Sequence, residues 1–367
     1  MKQSEVPLHK WHASNKAVFE ERDGFQVPKT YGKLETEYGV LRNGVGIHDL
    51  CHEARIRVEG RDAGALMQRV LTRNAEKIAP LALAQSFICN LRGGIIDFVT
   101  VYRDKAFFLL LGKASQRRRL LEFLAEQQER FEIEGVQIAD VSSTQRQVAL
   151  LGPRAELILE QLTMGNNTQV RLEPGEGTMV TVGSAKVLVL KRPPERIAGL
   201  DLLMGSVYLQ PVWERITEAA RLVGGRPVGT EAIDMVRVES GIPGVGAEMT
   251  EDTTPLEVDR AQLVDFHKPY HTGRRAMMHG TLREFARTMV ALRVEGGKVA
   301  KLGSEIFFDT MPVGRVTSTI LSPVQRTGLA LGMMSDAIAQ PGQQVTVHGS
   351  DGQTHLAHVI KPGSLPR

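Results

Sequence analysis

The run Gly93-Gly94-Ile95-Ile96-Asp97-Phe98-Val99-Thr100-Val101-Tyr102 constrains this chain more tightly than any other stretch. A Gly-Gly pair followed by β-branched residues reads as a turn that opens a strand. Side chains of a strand alternate between its two faces. Ile96, Phe98, Thr100 and Tyr102 therefore share one face, and Ile95, Asp97, Val99 and Val101 share the other. Phe98 and Asp97 point in opposite directions unless a β-bulge ahead of the strand exchanges the faces.

Other segments carry similar periodicities. Residues 55–59 alternate polar and apolar as a half-buried strand does. A helix carrying Ala65, Leu66, Val70 and Leu71 follows Gly60-Arg61-Asp62. Strands are expected at 86–90, 95–102 and 106–111, with Asp104-Lys105 as a tight turn. Ser115 is placed to cap a helix reaching about Gln128. Interleaved strands and helices predict an α+β layered fold. Further strands are expected at 147–151, 179–182, 186–190 and 200–204, and helices at 155–162, 211–222 and 230–239, with Thr230 as a cap. Pro193-Pro194 interrupts regular structure. Beyond about Arg287, short strands at 290–294, 305–308, 314–319, 328–333 and 344–348 predict a small β-barrel or sandwich.

A chain of 367 residues exceeds one ordinary core, so two or three domains are expected. A formal net charge of +3 and 5% aromatic residues give no reason to expect a nucleic-acid partner. Cys51 and Cys89 are the only cysteines and read as free thiols in a reducing compartment. No signal peptide is visible after Met1–Glu5, and the longest apolar run, 106–111, is far shorter than the roughly 20 residues of a membrane helix. A cytoplasmic protein with no membrane partner is expected.

Several clusters invite a chemical reading. His267 and His271 have the spacing of a helical metal pair, but Pro269 between them favours loop histidines. Cys51-His52 with His48 and Asp49 reads as packing rather than a nucleophile or metal cluster. No metal site is expected. Arg117-Arg118-Arg119 reads as a solvated helix face. Gly244-Val245-Gly246 lacks the rest of a dinucleotide fingerprint, and no phosphate-binding loop is present. Arg237 and Glu239 read as structural ion-pairing residues.

The order and spacing of longer motifs add a further constraint. These are Gly46-Ile47-His48-Asp49-Leu50-Cys51-His52, the Gly93-Gly94 strand, Ala149-Leu150-Leu151-Gly152-Pro153, Arg237-Val238-Glu239-Ser240-Gly241-Ile242-Pro243 and Glu251-Asp252-Thr253-Thr254-Pro255-Leu256-Glu257. Lys268-Pro269-Tyr270-His271-Thr272-Gly273-Arg274-Arg275-Ala276, Gly314-Arg315-Val316-Thr317-Ser318 and Leu321-Ser322-Pro323 follow. Together they resemble the glycine cleavage T-protein family over nearly the whole chain. The resemblance implies three domains around a central channel. A discontinuous first domain takes 1–54 plus 150–245, a second α+β domain takes 55–149 plus 246–286, and a C-terminal β-barrel-like domain takes 287–367. It also implies one-carbon chemistry on tetrahydrofolate, or binding of a folate-like ligand, with a lipoyl carrier protein as partner.

The family's ligand positions are altered here. Its folate-facing acid is Phe98, which cannot exchange a proton. Glu53 stands where Met is common, Gly112 where an Asn bonds the cofactor, Ser86 where a Tyr stands, and Ile233 where an Arg stands. Asp201 aligns with the Glu that reads the amino-pyrimidine edge, while Tyr102 survives and Thr100 shares its face. Lys191–Gly199 occupies the place of the family's Arg-Thr-Gly-Tyr-Thr-Gly-Glu-Asp-Gly segment. Each lost partner in a buried pocket costs about 1–3 kcal/mol. Three readings stay open: an aminomethyltransferase with impaired or redirected catalysis, a YgfZ-type assembly factor serving an iron–sulfur enzyme, and a tetrahydrofolate-dependent methyl transfer or demethylation. The reactive Cys that marks the YgfZ branch is absent from 268–275.

Overall fold

The computed structural model describes residues 3–163, 170–279 and 287–363. The expected domain ranges also run over 164–169, 280–286 and 364–367, which lie outside the described residues. The chain divides into two compact units. One comprises Met1–Val70, Asn74–Ser86 and Val99–Ile233, and the other Leu71–Arg73, Phe87–Phe98 and Asp234–Arg367.

The first unit is organised by a six-stranded sheet. Its order is Gly177–Val182, Ala185–Lys191, Gly199–Gly205, Gln145–Leu151, Gly46–Asp49 and Arg226–Pro227. Both faces are buried, for different reasons. One face carries Ile47, Val148, Leu150, Val187, Val189, Leu200 and Leu202 against the helices Ala155–Thr163 and Leu209–Leu222, where Ile158, Val212, Trp213 and Ile216 pack. The opposite face places Leu188, Leu190 and Leu203 against Leu83, Tyr102, Leu109 and Leu111. Those four belong to a five-stranded sheet of order Leu83–Cys89, Ile95–Arg103, Phe107–Gly112, Ala54–Glu59 and Gln137–Asp140. The unit division passes through its first two strands, between Ser86 and Phe87 and between Phe98 and Val99.

Most expected elements are present with edges shifted by a few residues. The turn at 104–105 joins its strands as expected, with Asp104 N donating to Phe107 O. Two helix caps differ. Ser115 lies in a short 3-10 turn, Ala114–Gln116, that precedes the helix Arg117–Arg130, and it makes no capping bond. Thr230 is the first residue of the helix Thr230–Glu239, and its hydroxyl donates to Glu20 Oε1 at 2.6 Å. Long-range partners claimed a side chain that local propensity assigns to the helix end.

In the second unit the C-terminal strands close into a six-stranded barrel. Val290, Leu292, Val294, Ile306, Val316, Val345, Val347, Ala357 and Val359 fill it. A register shift between Val316 and Ser318 breaks the alternation in the strand Met311–Ser322. Neighbouring hydroxyls thereby reach one acceptor: Thr317 Oγ1 and Ser318 Oγ donate to Glu248 Oε1 at 2.7 and 2.6 Å. Glu248 Oε2 accepts from Gly244 N at 2.8 Å and Arg237 Nη1 at 3.2 Å. Arg237 is thus structural, as its sequence context suggests, and Glu239 accepts from the Ser322 hydroxyl.

Glu248 is fully buried, so its four donors are what makes its charge tolerable. Truncating it leaves Arg237 without that partner and the hydroxyls short of an acceptor. Glu248→Ala is expected to destabilise the fold by about 3–5 kcal/mol, read as a lowered urea midpoint. A loss under about 1 kcal/mol contradicts the assignment.

Candidate functional site

The inner face of the six-stranded sheet is apolar at one end and polar at the other. Strand register sets the polar part. Ala149 lies opposite His48 on one side and Asp201 on the other, and Asp201 lies opposite Leu190. Neighbouring strands are about 4.8 Å apart, so His48 and Asp201 flank the small Ala149 on one row. Gln147, two residues before Ala149, faces the same way.

Arg192 is brought to this row by the backbone. It follows the strand Ala185–Lys191, and its N–H donates to Gly199 O at 3.0 Å. Gly199 has φ +150°, and an added Cβ would lie 2.0 Å from Leu150 O, so only glycine fits this close approach. The guanidinium then meets Asp201 diagonally and forks onto it, with Nε to Oδ2 at 3.0 Å and Nη2 to Oδ1 at 2.7 Å. Gln147 Nε2 donates to Oδ1 at 3.1 Å. Burial alone would raise the Asp201 pKa. The charges of Arg192 and Arg196 and the hydrogen bonds outweigh that and hold it below its ordinary value.

The Gln147 amide is oriented by this contact, since turning its oxygen to a carboxylate would oppose two acceptors. Its Oε1 is left buried with no partner among the described residues. His48 is similarly fixed. Its Nδ1 lies 3.1 Å from Val228 O, a group that only accepts, so Nδ1 carries the hydrogen and Nε2 the lone pair. Burial, helped by His52 and Arg192 and opposed by the Val228 bond, pushes its pKa down to about 3. Nearby, Thr100 Oγ1 accepts from Gln85 Nε2 at 2.5 Å and Arg196 Nη1 at 3.0 Å.

A second polar group surrounds Glu53. Its Oε1 accepts from Lys113 Nζ at 2.6 Å and its Oε2 from Ala114 N at 2.8 Å. Burial opposes the charge, but Lys113, His52 and these bonds bring the Glu53 pKa from 4.5 to about 2. Arg117 Nη2 donates to Glu53 O at 3.2 Å, so the first arginine of the triplet is a structural tie rather than a solvated charge. Arg118 stays on the exposed face with Glu122. Asp49 accepts from His12 at 3.0 Å, and Tyr31 donates its hydroxyl to the other nitrogen of His12 at 2.7 Å. Cys51 and Cys89 are free and buried.

In the second unit, Phe98 stacks on Phe87 with ring centroids 4.6 Å apart. Its N–H donates to Asp97 Oδ1 at 2.8 Å, and Asp97 is fully buried. Lys268 Nζ is buried and donates to Leu71 O and Arg73 O. His271 Nδ1 is 3.1 Å from Thr272 O, while Nε2 is buried with no partner among the described residues.

The structure joins Asp201 and Thr100 in one polar group through the Arg192–Gly199 segment. Tyr102 sits in the leucine cluster, Gly112 pairs with Ala54 at a strand end, Ser86 is fully buried, and Ile233 is half-buried in its helix. Arg192, Arg196, Gln147 and Gln85 were not singled out as functional. The two arginines flank a Pro-Pro pair, which obscures their pairing in sequence, but Gln147 shares strand parity with Ala149 and was readable from alternation. Among the described residues no cluster of three His, Cys, Asp or Glu is arranged to hold a metal ion, and no helix is long and apolar enough to cross a membrane.

The family model described as the GCVT N-terminal domain matches residues 8–268. The one described as the glycine cleavage T-protein C-terminal barrel domain matches residues 287–363. The chain belongs to the glycine cleavage T-protein family. An aminomethyltransferase of Caldanaerobacter subterraneus subsp. tengcongensis is 28% identical over 343 residues, covering 93% of this chain and 91% of its own length. An aminomethyltransferase of Saccharopolyspora erythraea is 27% identical over 351 residues, covering 94% of each. The crystal structure of glycine cleavage system aminomethyltransferase T from Bartonella henselae superposes with a TM-score of 0.87 at 22% identity, over 98% of this chain and 97% of that one. This chain therefore has the T-protein fold, with its α+β body and C-terminal barrel.

The low pKa of Glu53 has a consequence for stability. Its ionised form stabilises the fold above its ordinary 4.5, and that contribution is lost as pH falls towards about 2. Between about pH 6 and pH 3, the wild type is expected to lose more urea resistance than Glu53→Gln. Equal losses contradict a native carboxylate paired with Lys113.

Proposed function

We propose that this protein is a tetrahydrofolate-linked one-carbon protein of aminomethyltransferase type in which the standard transfer is impaired or redirected. Family membership supports the aminomethyltransferase type. The closed state of Asp201 carries the second half of the reading. By resemblance, its position reads the amino-pyrimidine edge of the folate, yet here both its oxygens accept from Arg192. Phe98 adds to this, because a phenyl ring stacked on Phe87 supplies no proton-transfer group.

The residues present suit a folate-like ring in one respect. Gln147 Oε1 is a buried acceptor without a donor among the described residues, His48 carries its lone pair on Nε2, and a pterin ring presents N–H groups. When bound, tetrahydrofolate would supply the nitrogens that take up a one-carbon unit. The protein's contribution is to hold the ring against acceptors, exclude water with the buried leucine cluster, and orient whichever donor arrives. A lipoyl carrier protein is the donor-bearing partner implied by the family. The three-domain division at about 54, 149, 245 and 286 belongs to the same reading.

Reconstituted glycine cleavage with a lipoyl carrier protein tests it. A missing proton-transfer group costs about 10²–10⁴-fold in rate, so turnover is expected at least about 100-fold below an active T-protein. Phe98→Asp alone is expected not to restore it, because Arg192 still closes Asp201. Robust turnover by the wild type overturns the impaired-or-redirected reading. Full restoration by Phe98→Asp shows that one substitution, and not the remodelled pocket, is responsible.

A further inference from the structure

We infer that His48 Nε2 and Gln147 Oε1 form a neutral acceptor pair that reads uncharged N–H groups of the bound ligand, in place of the carboxylate that Arg192 has closed. The inference rests on the folate-linked reading only for the choice of natural ligand. Its evidence is geometric. Both residues project from the same face of one sheet: His48 pairs across the ladder with the short Ala149, and Gln147 precedes Ala149 by two residues on its own strand, diagonal to His48. His48 is locked in the tautomer with its lone pair on Nε2, because Nδ1 must donate to Val228 O. Gln147 is locked with Nε2 on Asp201, which turns Oε1 away from that carboxylate.

A buried acceptor without a donor is uncommon and calls for an explanation such as an unseen water or ligand. Gln147 is 2% exposed and its Oε1 has no partner among the described residues. His48 is 5% exposed, with its hydrogen on Nδ1 and its lone pair on Nε2. The Nε2 lone pair of His48 is a second acceptor on the same face, so the pair suits a ligand with two donors. Charge narrows the class. The Arg192 guanidinium lies beside this row and disfavours a cationic ammonium group. An amide-like or amino-heterocyclic N–H remains, which forms neutral hydrogen bonds without bringing a second cation to the site.

The test uses the full-length protein labelled with ¹⁵N-histidine, together with calorimetry. Tetrahydrofolate is the first probe. Urea and methylammonium, at concentrations well below denaturation, are small uncharged and charged N–H donors for comparison. Tetrahydrofolate and urea are expected to shift the unprotonated His48 Nε2 resonance upfield, and methylammonium is expected not to. His48→Phe is expected to weaken tetrahydrofolate binding about tenfold, His48→Asn to recover part of that loss, and Gln147→Leu to weaken it comparably. Far-ultraviolet circular dichroism confirms that each variant folds. If calorimetry detects no tetrahydrofolate but urea shifts the resonance, the folate reading fails and the acceptor pair stands. If tetrahydrofolate binds while neither probe shifts the resonance and the variants bind unchanged, the acceptor pair fails and the folate reading stands. If no probe binds or shifts the resonance, or if methylammonium matches urea, the inference is overturned.

Discussion

A carboxylate cannot remain ionised between two apolar layers without compensation, and Arg192 supplies it for Asp201. The pairing depends on backbone geometry. Gly199 permits a close approach to Leu150 O, Arg192 N–H bonds to Gly199 O, and the diagonal of the ladder delivers a planar fork to a planar carboxylate. Once that fork is closed, Gln147 turns Nε2 to Asp201 Oδ1, and Oε1 is left without a donor among the described residues. The polar character of the inner face therefore follows from one ion pair. Such a pair is costly to break from one side and gives little net stability as a whole. Its larger effect is on specificity, because it removes an anionic acceptor from the face.

The fold was legible where one physical rule dominated. Period-two alternation located the strand Ile95–Arg103, the turn at 104–105 and the barrel strands, since side-chain direction in a strand is fixed by the pleat. Helix starts were less legible. Ser115 and Thr230 are suitable caps by type, but Thr230 was recruited by Glu20, 210 residues away. Burial on both faces of the six-stranded sheet was also obscure, because alternation distinguishes faces without saying that a second layer covers the polar one.

The site was partly legible. Resemblance pointed to Asp201, and its burial and importance to the polar face follow from the structure. Resemblance alone did not reveal that Arg192 occupies it, because the two residues are joined by a diagonal contact across a Pro-Pro interruption. His48 was visible in sequence as part of the Cys51-His52 group and was read as packing. Its Nδ1 does serve packing by tying the strand Gly46–Asp49 to Val228. The same bond leaves the lone pair on Nε2, the acceptor on which the inferred recognition role rests.

Two departures from the family pattern then share a physical direction. Phe98 exchanges an acid for a stacked ring, and Arg192 neutralises the acid that remains at 201. Each lowers the net negative charge or proton-transfer capacity available to a ligand while keeping hydrogen-bond acceptors. A site altered only by loss of function would tend to accumulate uncompensated polar groups and cavities. In the first unit the ion pair on Asp201 is complete, and in the second the Phe98 and Phe87 rings are stacked, so each change is compensated within its own unit. Compensation of this kind supports the redirected half of the proposed function over simple decay.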